Sequence, residues 1–387
     1  MFKTVLGGVS LLLLGQEVMA WNYTSDSKDL SLNVGGAVRT RFDFDPDRDI
    51  RKYNIDTVIL KSDAMYKKIG YEVEYRFMGG AYPYNYTDNI GDINFPKKAF
   101  LKYEYSNSDK FELGLNQVPL GPLPYFTSTM MESVGYIAGI EDLYKVGLKY
   151  NKKFESSNLY IGYYWDDVWN GHGTSNGDSY SNIITTPDAY ILDANKYEEK
   201  DTFVAQYNIN HTVNDWNQNF GISGYYSNIE GDKVEDGNRK IFGIHYTLDT
   251  QKYGLKFVSM YQDIDIPYSY ITLGGYDGTF NSATKGFIHS LDLNYKLPED
   301  LISKNIDNLS VYANYSIYDK SEDTYKNTQQ FILGSSFLYK NNFYIATEWL
   351  FGKNNPYIGG SSYVNSLEKG GTDHWENQLS INLGYYF

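Results

Sequence analysis

The chain closes on Trp375-Glu-Asn-Gln-Leu-Ser-Ile-Asn-Leu-Gly-Tyr-Tyr-Phe387, and this stretch decides how everything before it reads. Leu379, Ile381, Leu383, Tyr385 and Phe387 fall on one face, while Glu376, Gln378, Ser380, Asn382 and Gly384 fall on the other. Strict period-2 alternation describes a β-strand, because successive side chains of a pleated backbone leave on opposite sides. One side of this strand needs an apolar neighbour and the other needs water.

Working back toward the amino terminus, the pattern recurs. Leu30 to Asp45 places Leu32, Val34, Val38, Phe42 and Phe44 opposite Asn33, Arg39, Arg41 and Asp43. Tyr71, Val73, Tyr75 and Phe77 stand opposite Glu72, Glu74 and Arg76, and Ala99, Leu101, Tyr103 and Tyr105 opposite Lys98, Lys102 and Glu104. Tyr144, Val146, Leu148 and Tyr150 stand opposite Lys145, Gly147 and Lys149. In all, about sixteen alternating segments follow Leu30, separated in turn by short polar turns and longer Gly-, Asn- and Asp-rich loops. Short turns are expected at residues 67–70, 106–109, 155–158, 249–252 and 340–342. Two segments fit poorly: Val58 and Leu60 share a face with Asp56 and Ser62, and Ile332 and Leu338 fall on the polar face.

A soluble sandwich also alternates, but its inner faces form a dry core, and the polar faces here carry charges and amides that such a core does not tolerate. A closed antiparallel barrel in a membrane reverses the arrangement, with apolar residues against lipid and polar residues around a lumen. Forty tyrosines and twenty phenylalanines suit that class, since aromatic rings favour strands and gather at both membrane interfaces.

Residues 1–20 have the order of a secretory signal peptide: Lys3, an apolar run from Val5 to Leu14, then Val18-Met19-Ala20 before Trp21. That run is about ten residues, half of what a spanning helix requires. Residues 21–387 are then expected to form one barrel domain. No cysteine is present, which removes disulfides, thiolate metal sites and a cysteine nucleophile. A net charge of −14 argues against a nucleic-acid partner and suits divalent cations bridging to anionic lipid headgroups.

The aromatic terminal residue Phe387 resembles the end of the last strand of bacterial outer-membrane barrels, where it is part of the assembly signal read by the barrel assembly machinery. A second resemblance lies in the long connection between Asn116 and Asp142, NQVPLGPLPYFTSTMMESVGYIAGIED, which is too apolar for a solvent loop. The stretch from Lys110 to Val134, with Gly114, Pro119 and Gly121 spaced as Gly-x-x-x-x-Pro-x-Gly, resembles the fifth strand and constriction loop of the phosphate-selective (O/P-type) porin family. Residues 32–45 are similar to that family's first strand.

The resemblance implies an all-β, transmembrane antiparallel barrel of sixteen strands with the third long loop folded into the lumen. It also implies a homotrimer in the outer membrane of a Gram-negative bacterium, in contact with lipids and lipopolysaccharide. Pro119, Gly121, Tyr125 and Phe126 are the expected constriction-loop residues. The chain departs from the family in having only six arginines, too few for the arginine ladder of phosphate-selecting members.

The inward basic residues Arg39, Arg41, Arg76, Lys98, Lys102, Lys145 and Lys149 form one expected wall, facing Glu132, Glu141 and Asp142 of the loop. Opposed charges of this kind set up a transverse field that sorts polar solutes. The expected function is a water-filled channel for passive diffusion of small hydrophilic solutes and ions, with a preference for anions. Two other readings stay open: a carbohydrate channel with Tyr160, Tyr164, Tyr312 and Tyr344 as a stacking track, and a structural or adhesive barrel.

Neither a cofactor nor a metal is expected. Asp45-Pro-Asp-Arg-Asp49 lacks the glycine that a calcium loop needs at its sixth position, which is Ile50. Asp166-Asp167 with His172 makes a weak cluster. The five histidines are scattered, with no Gly-x-Ser-x-Gly or metal-helix motif, so an enzyme is not expected and a barrel hydrolase is the remotest reading.

Overall fold

The computed structural model describes residues 19–387 except 28, 80–88, 167–195, 276–277 and 299–300. Residues 1–18 of the expected leader, and Asp167 and His172 of the weak metal cluster, lie outside the described residues.

The strands are β1 (Met19–Thr24), β2 (Leu30–Asp45), β3 (Ile50–Tyr66), β4 (Ile69–Met78), β5 (Ile93–Glu104) and β6 (Asp109–Gln117). A short helix, α1 (Val134–Ile137), lies in the loop that follows. Next come β7 (Tyr144–Lys153), β8 (Ser157–Asp166), β9 (Lys196–Val213), β10 (Trp216–Asp232), β11 (Gly237–Asp249) and β12 (Tyr253–Asp265). A small hairpin, β13 (Tyr270–Gly275) and β14 (Gly278–Ala283), precedes β15 (Lys285–Lys296), β16 (Ile306–Lys320), β17 (Thr328–Tyr339), β18 (Phe343–Lys353) and β19 (Trp375–Tyr386).

Strands β2 to β12 pair consecutively and antiparallel, β12 pairs β15, and β19 returns to pair β2. The sixteen strands β2–β12 and β15–β19 therefore close on themselves. Closure leaves no open edge, so each wall strand has its main-chain groups met on both sides, which a hydrocarbon environment demands. Along β2, β19 covers Ala37–Phe44, Phe387 exchanges main-chain hydrogen bonds with Gly36 at 2.8 and 3.0 Å, and β1 covers Ser31–Gly35. The expected turns at 67–70, 106–109, 155–158, 249–252 and 340–342 all lie at one end of the barrel, and the long loops at the other.

Outward faces carry an exposed apolar band that includes Leu101, Leu113, Leu148, Ile161, Leu291 and Leu333. Exposed aromatics flank it, among them Tyr66, Tyr105, Trp216 and Tyr253 toward the short turns and Tyr53, Trp165, Trp349 and Trp375 toward the loops. This is the girdled surface of an outer-membrane barrel. Among the described residues no helix is long and apolar enough to cross a membrane.

Both awkward segments have a physical reason. In β3 a bulge opposite Arg39 and Thr40 adds Asp56 as an extra residue, which turns it inward while Val58 and the half-exposed Leu60 face out. Ile332 and Leu338 do point inward, because the long loop lands on them: Ile332 packs with Leu350, Ile358 and Met131, and Leu338 with Tyr344, Ala346 and Met130. At the loop end, hairpin β13–β14 is buried against the segment between β18 and β19. Asn281 N–H donates to Val364 O at 2.8 Å, and the Phe280 ring meets Tyr357 edge-on.

Candidate functional site

The loop between β6 and β7, residues 118–143, leaves the wall at a neck closed by Val118 N–H donating to Leu143 O at 2.9 Å. It does not project into solvent. Pro119–Gly121 lies against the inner wall, where Gln206 of β9 donates to Gly121 O at 2.6 Å and Gly121 N–H donates to Ser223 Oγ of β10 at 3.3 Å. Gly121 has φ +69°, and a Cβ there would lie 2.4 Å from the Phe126 ring, so both backbone and packing require glycine. Phe126 is fully buried among Leu120, Val134 and Ile137.

The wall then holds the loop residue by residue. Lys256 Nζ of β12 donates to Thr127 O at 2.7 Å, and Ser128 donates to the Asp292 carboxylate of β15 through N–H at 3.0 Å and Oγ at 2.6 Å. Glu348 of β18 accepts the N–H groups of Met130 (2.6 Å) and Met131 (3.1 Å), and Gln330 of β17 donates to Glu132 O at 2.6 Å. Val134 N–H donates to Ser316 Oγ of β16 at 3.1 Å, beside the α1 cap made by Ser133. These contacts are the observed form of the expected inward fold, and they account for the loop's apolar composition.

Among the described residues, a gap lies between the loop and the uncovered wall. It is lined by Arg39, Arg41, Asp43, Asp56 and Arg76 of β2–β4, by Met130–Glu132 and Tyr136 of the loop, and by Gln378, Ser380 and Asn382 of β19. The arginines do not stand alone. Arg41 Nε contacts Asp43 at 2.7 Å, Arg39 reaches Thr57 at 2.8 Å and Asp56 at 3.7 Å, and Arg76 Nε contacts Glu74 at 2.7 Å. Across the gap, the Glu132 carboxyl is pushed well above its ordinary range by burial and by the neighbouring Asp142 and Glu141.

The structure therefore brings Arg39, Arg41, Arg76 and Glu132 into one gap and distributes the other expected charges elsewhere. Lys98 and Lys102 face inward lower on β5, Lys98 bonding Glu72. Lys145 is buried behind the loop on Glu199 at 2.9 Å, with Arg239 on the same carboxylate at 3.5 Å. Lys149 pairs with Glu112 at 2.7 Å and donates to Gln117 O at the loop base. Glu141 serves the loop's interior, accepting Phe126 N–H at 2.7 Å and Ser133 N–H at 3.0 Å. Tyr125 lies beside Lys97, whose ammonium sits 5.5 Å from its ring centre. Tyr164, Tyr312 and Tyr344 point inward but are buried, Tyr312 donating to Glu348 at 2.9 Å, so they do not form an open stacking track.

Sequence reasoning missed Lys97, Arg239, Asp292 and Glu348. Lys97 is the extra residue of a second bulge, where Lys98 pairs with Glu74 and Pro96 with Tyr75, and it bonds Asp142 of the loop. Pro96 followed by two lysines was the available signal, since proline within a strand marks a bulge or an edge. Arg239 donates to Ala138 O and Gly139 O, bracing the end of α1. Its inward parity with Ile241 and His245 was visible, but not what it would meet.

No family model and no curated protein matches the chain. Solved structures do. The chain is similar to OmpT, an outer-membrane protein of Vibrio cholerae, in its trimer form (14% identity, TM-score 0.55, covering 92% of this chain and 99% of that one). It is also similar to the anion-selective porin of Comamonas acidovorans (12%, 0.58, 92% and 100%). A third likeness is to the outer-membrane channel DcaP of Acinetobacter baumannii (12%, 0.60, 94% and 99%). At these identities the likeness concerns the fold, and the fold is that of a porin-type outer-membrane barrel.

Proposed function

We propose that the chain is an outer-membrane porin, passing small hydrophilic solutes and ions by passive diffusion through a water-filled lumen. The observation that carries this reading is the loop 118–143, tied along the inner wall from β9 to β18 so that one charged gap is left against β2–β4. A barrel of this strand number encloses a channel, and an inward loop with charges facing it sorts solutes by size and charge. An adhesive barrel gains nothing from such a loop.

Within this reading the anion preference is modest, because Asp43, Asp56 and Glu74 stand beside the arginines. Kinship with the O/P-type porins rests on the sequence of residues 110–134 and does not extend to phosphate selectivity. Residues 1–20 act as the export leader, Phe387 as the assembly signal, and the short turns face the periplasm. The trimer form of the Vibrio cholerae neighbour supports a trimer here. Recording from purified, folded protein in planar bilayers tests the proposal: stepwise KCl conductance is expected, and its absence in folded protein overturns the reading.

A further inference from the structure

We propose that the gap between the loop and β2–β4 binds zwitterionic solutes of the amino-carboxylic class, such as free amino acids and short peptides. The inference rests on the porin reading and names its substrate class. The gap holds both charges at close quarters: the guanidinium groups of Arg39, Arg41 and Arg76, and the carboxylates of Asp43 and Asp56, with the Glu132 carboxyl beside them. Several acceptors there are left unmet. Asp43 Oδ1, Glu132 Oε2 and Gln378 Oε1 are buried and accept no hydrogen bond from the protein, and Asp56 Oδ1 has the Arg41 guanidinium 3.8 Å away but no hydrogen bond; Asp43, Asp56 and Gln378 are 2%, 5% and 2% exposed.

Buried acceptors without donors are uncommon and call for a partner. Each of the two aspartates has its sibling oxygen engaged: Asp43 Oδ2 contacts Arg41, and Asp56 Oδ2 accepts from Thr57 Oγ1 at 2.8 Å. An ammonium group supplies three donors and a positive charge, which these oxygens match. A metal ion is a poorer match, since no group of three or more His, Asp or Glu among the described residues could hold one. Guanidinium groups present a planar fork suited to a carboxylate.

A solute with one charge gains from one set of residues and is repelled by the other. A solute carrying both charges gains from both sets at once.

The test uses folded protein in planar bilayers, with β-alanine, propionate and ethylammonium as size-matched probes of KCl current. β-Alanine should reduce or interrupt the current with an apparent affinity at least about tenfold tighter than either single-charge probe. Asp56→Asn and Arg41→Gln should each remove most of that preference. Should a variant fail to fold, uptake of the three probes by liposomes carrying the unaltered protein gives the same ranking. Equal block by all three, or block by propionate alone, overturns the inference while leaving the porin reading standing. Absence of KCl steps overturns the porin reading itself.

Discussion

The Glu348 carboxylate of β18 accepts the main-chain N–H of Met130 at 2.6 Å, joining residues 218 positions apart and fixing the tip of the inward loop to the far wall. Met131 N–H lies on the same carboxylate at 3.1 Å, so one side chain satisfies two adjacent loop donors. Glu348→Gln keeps the shape but sets an amide donor against one of those N–H groups, at a cost of about 1–3 kcal/mol. The barrel should still form, judged by heat-modifiable gel mobility, while single-channel current becomes noisier and the amides of Met130 and Met131 exchange faster.

Gly121→Ala should destabilise the loop on two counts. The left-handed backbone at φ +69° disfavours any side chain, and the new methyl would overlap the Phe126 ring. Together these are worth about 2–4 kcal/mol. Protease cleavage within residues 118–143 of the folded barrel reads the effect, with the variant cut faster than the parent.

Glu141 gives the loop a pH dependence of definite sign. Burial pushes its carboxyl up to about 7 from the ordinary 4.5, against the hydrogen bonds it receives from Ser133 and Phe126. Between those values the closed loop keeps a proton that an opened loop releases. This group's stabilisation is therefore present at low pH and declines as pH rises through that window. Exchange of the Phe126 and Ser133 amides, corrected for intrinsic rates, should be faster at pH 8 than at pH 5. A flat profile would show that Glu141 does not titrate there.

Behind the loop, Glu199 is the shared counter-charge of Lys145 at 2.9 Å and Arg239 at 3.5 Å, and it also accepts from Tyr225 and Ser227. Glu199→Gln removes the carboxylate that two buried cations share, a loss of about 3–5 kcal/mol. Urea unfolding of the detergent-solubilised barrel should show a lower midpoint. Unchanged unfolding would mean that the cations find water in its place.

The wall of this protein was legible because lipid outside and polar lumen inside impose a period of two on every strand, and Arg39, Arg41 and Arg76 could be placed on the inner face from parity alone. Parity fails at bulges, which is why Asp56 looked misplaced and Lys97 was passed over. It also cannot distinguish a wall residue that meets open lumen from one that meets the loop. Lys145 and Lys149 share inward parity with the arginines, yet both are buried in ion pairs behind the loop or at its base. The apolar content of residues 116–142 announced the inward fold, but Asp292 and Glu348 resemble any other wet-face carboxylates until the loop reaches them.

The loop's attachments have a mechanical consequence. A thin-walled cylinder squeezed from the side flattens into an oval unless something inside ties distant parts of its circumference together. By bonding to β9, β10, β12, β15, β16, β17 and β18, the segment 118–143 acts as an internal brace for the half of the wall it lines. The braced half then resists lateral pressure, and any change of shape falls on the uncovered wall that carries Arg39 and Arg41.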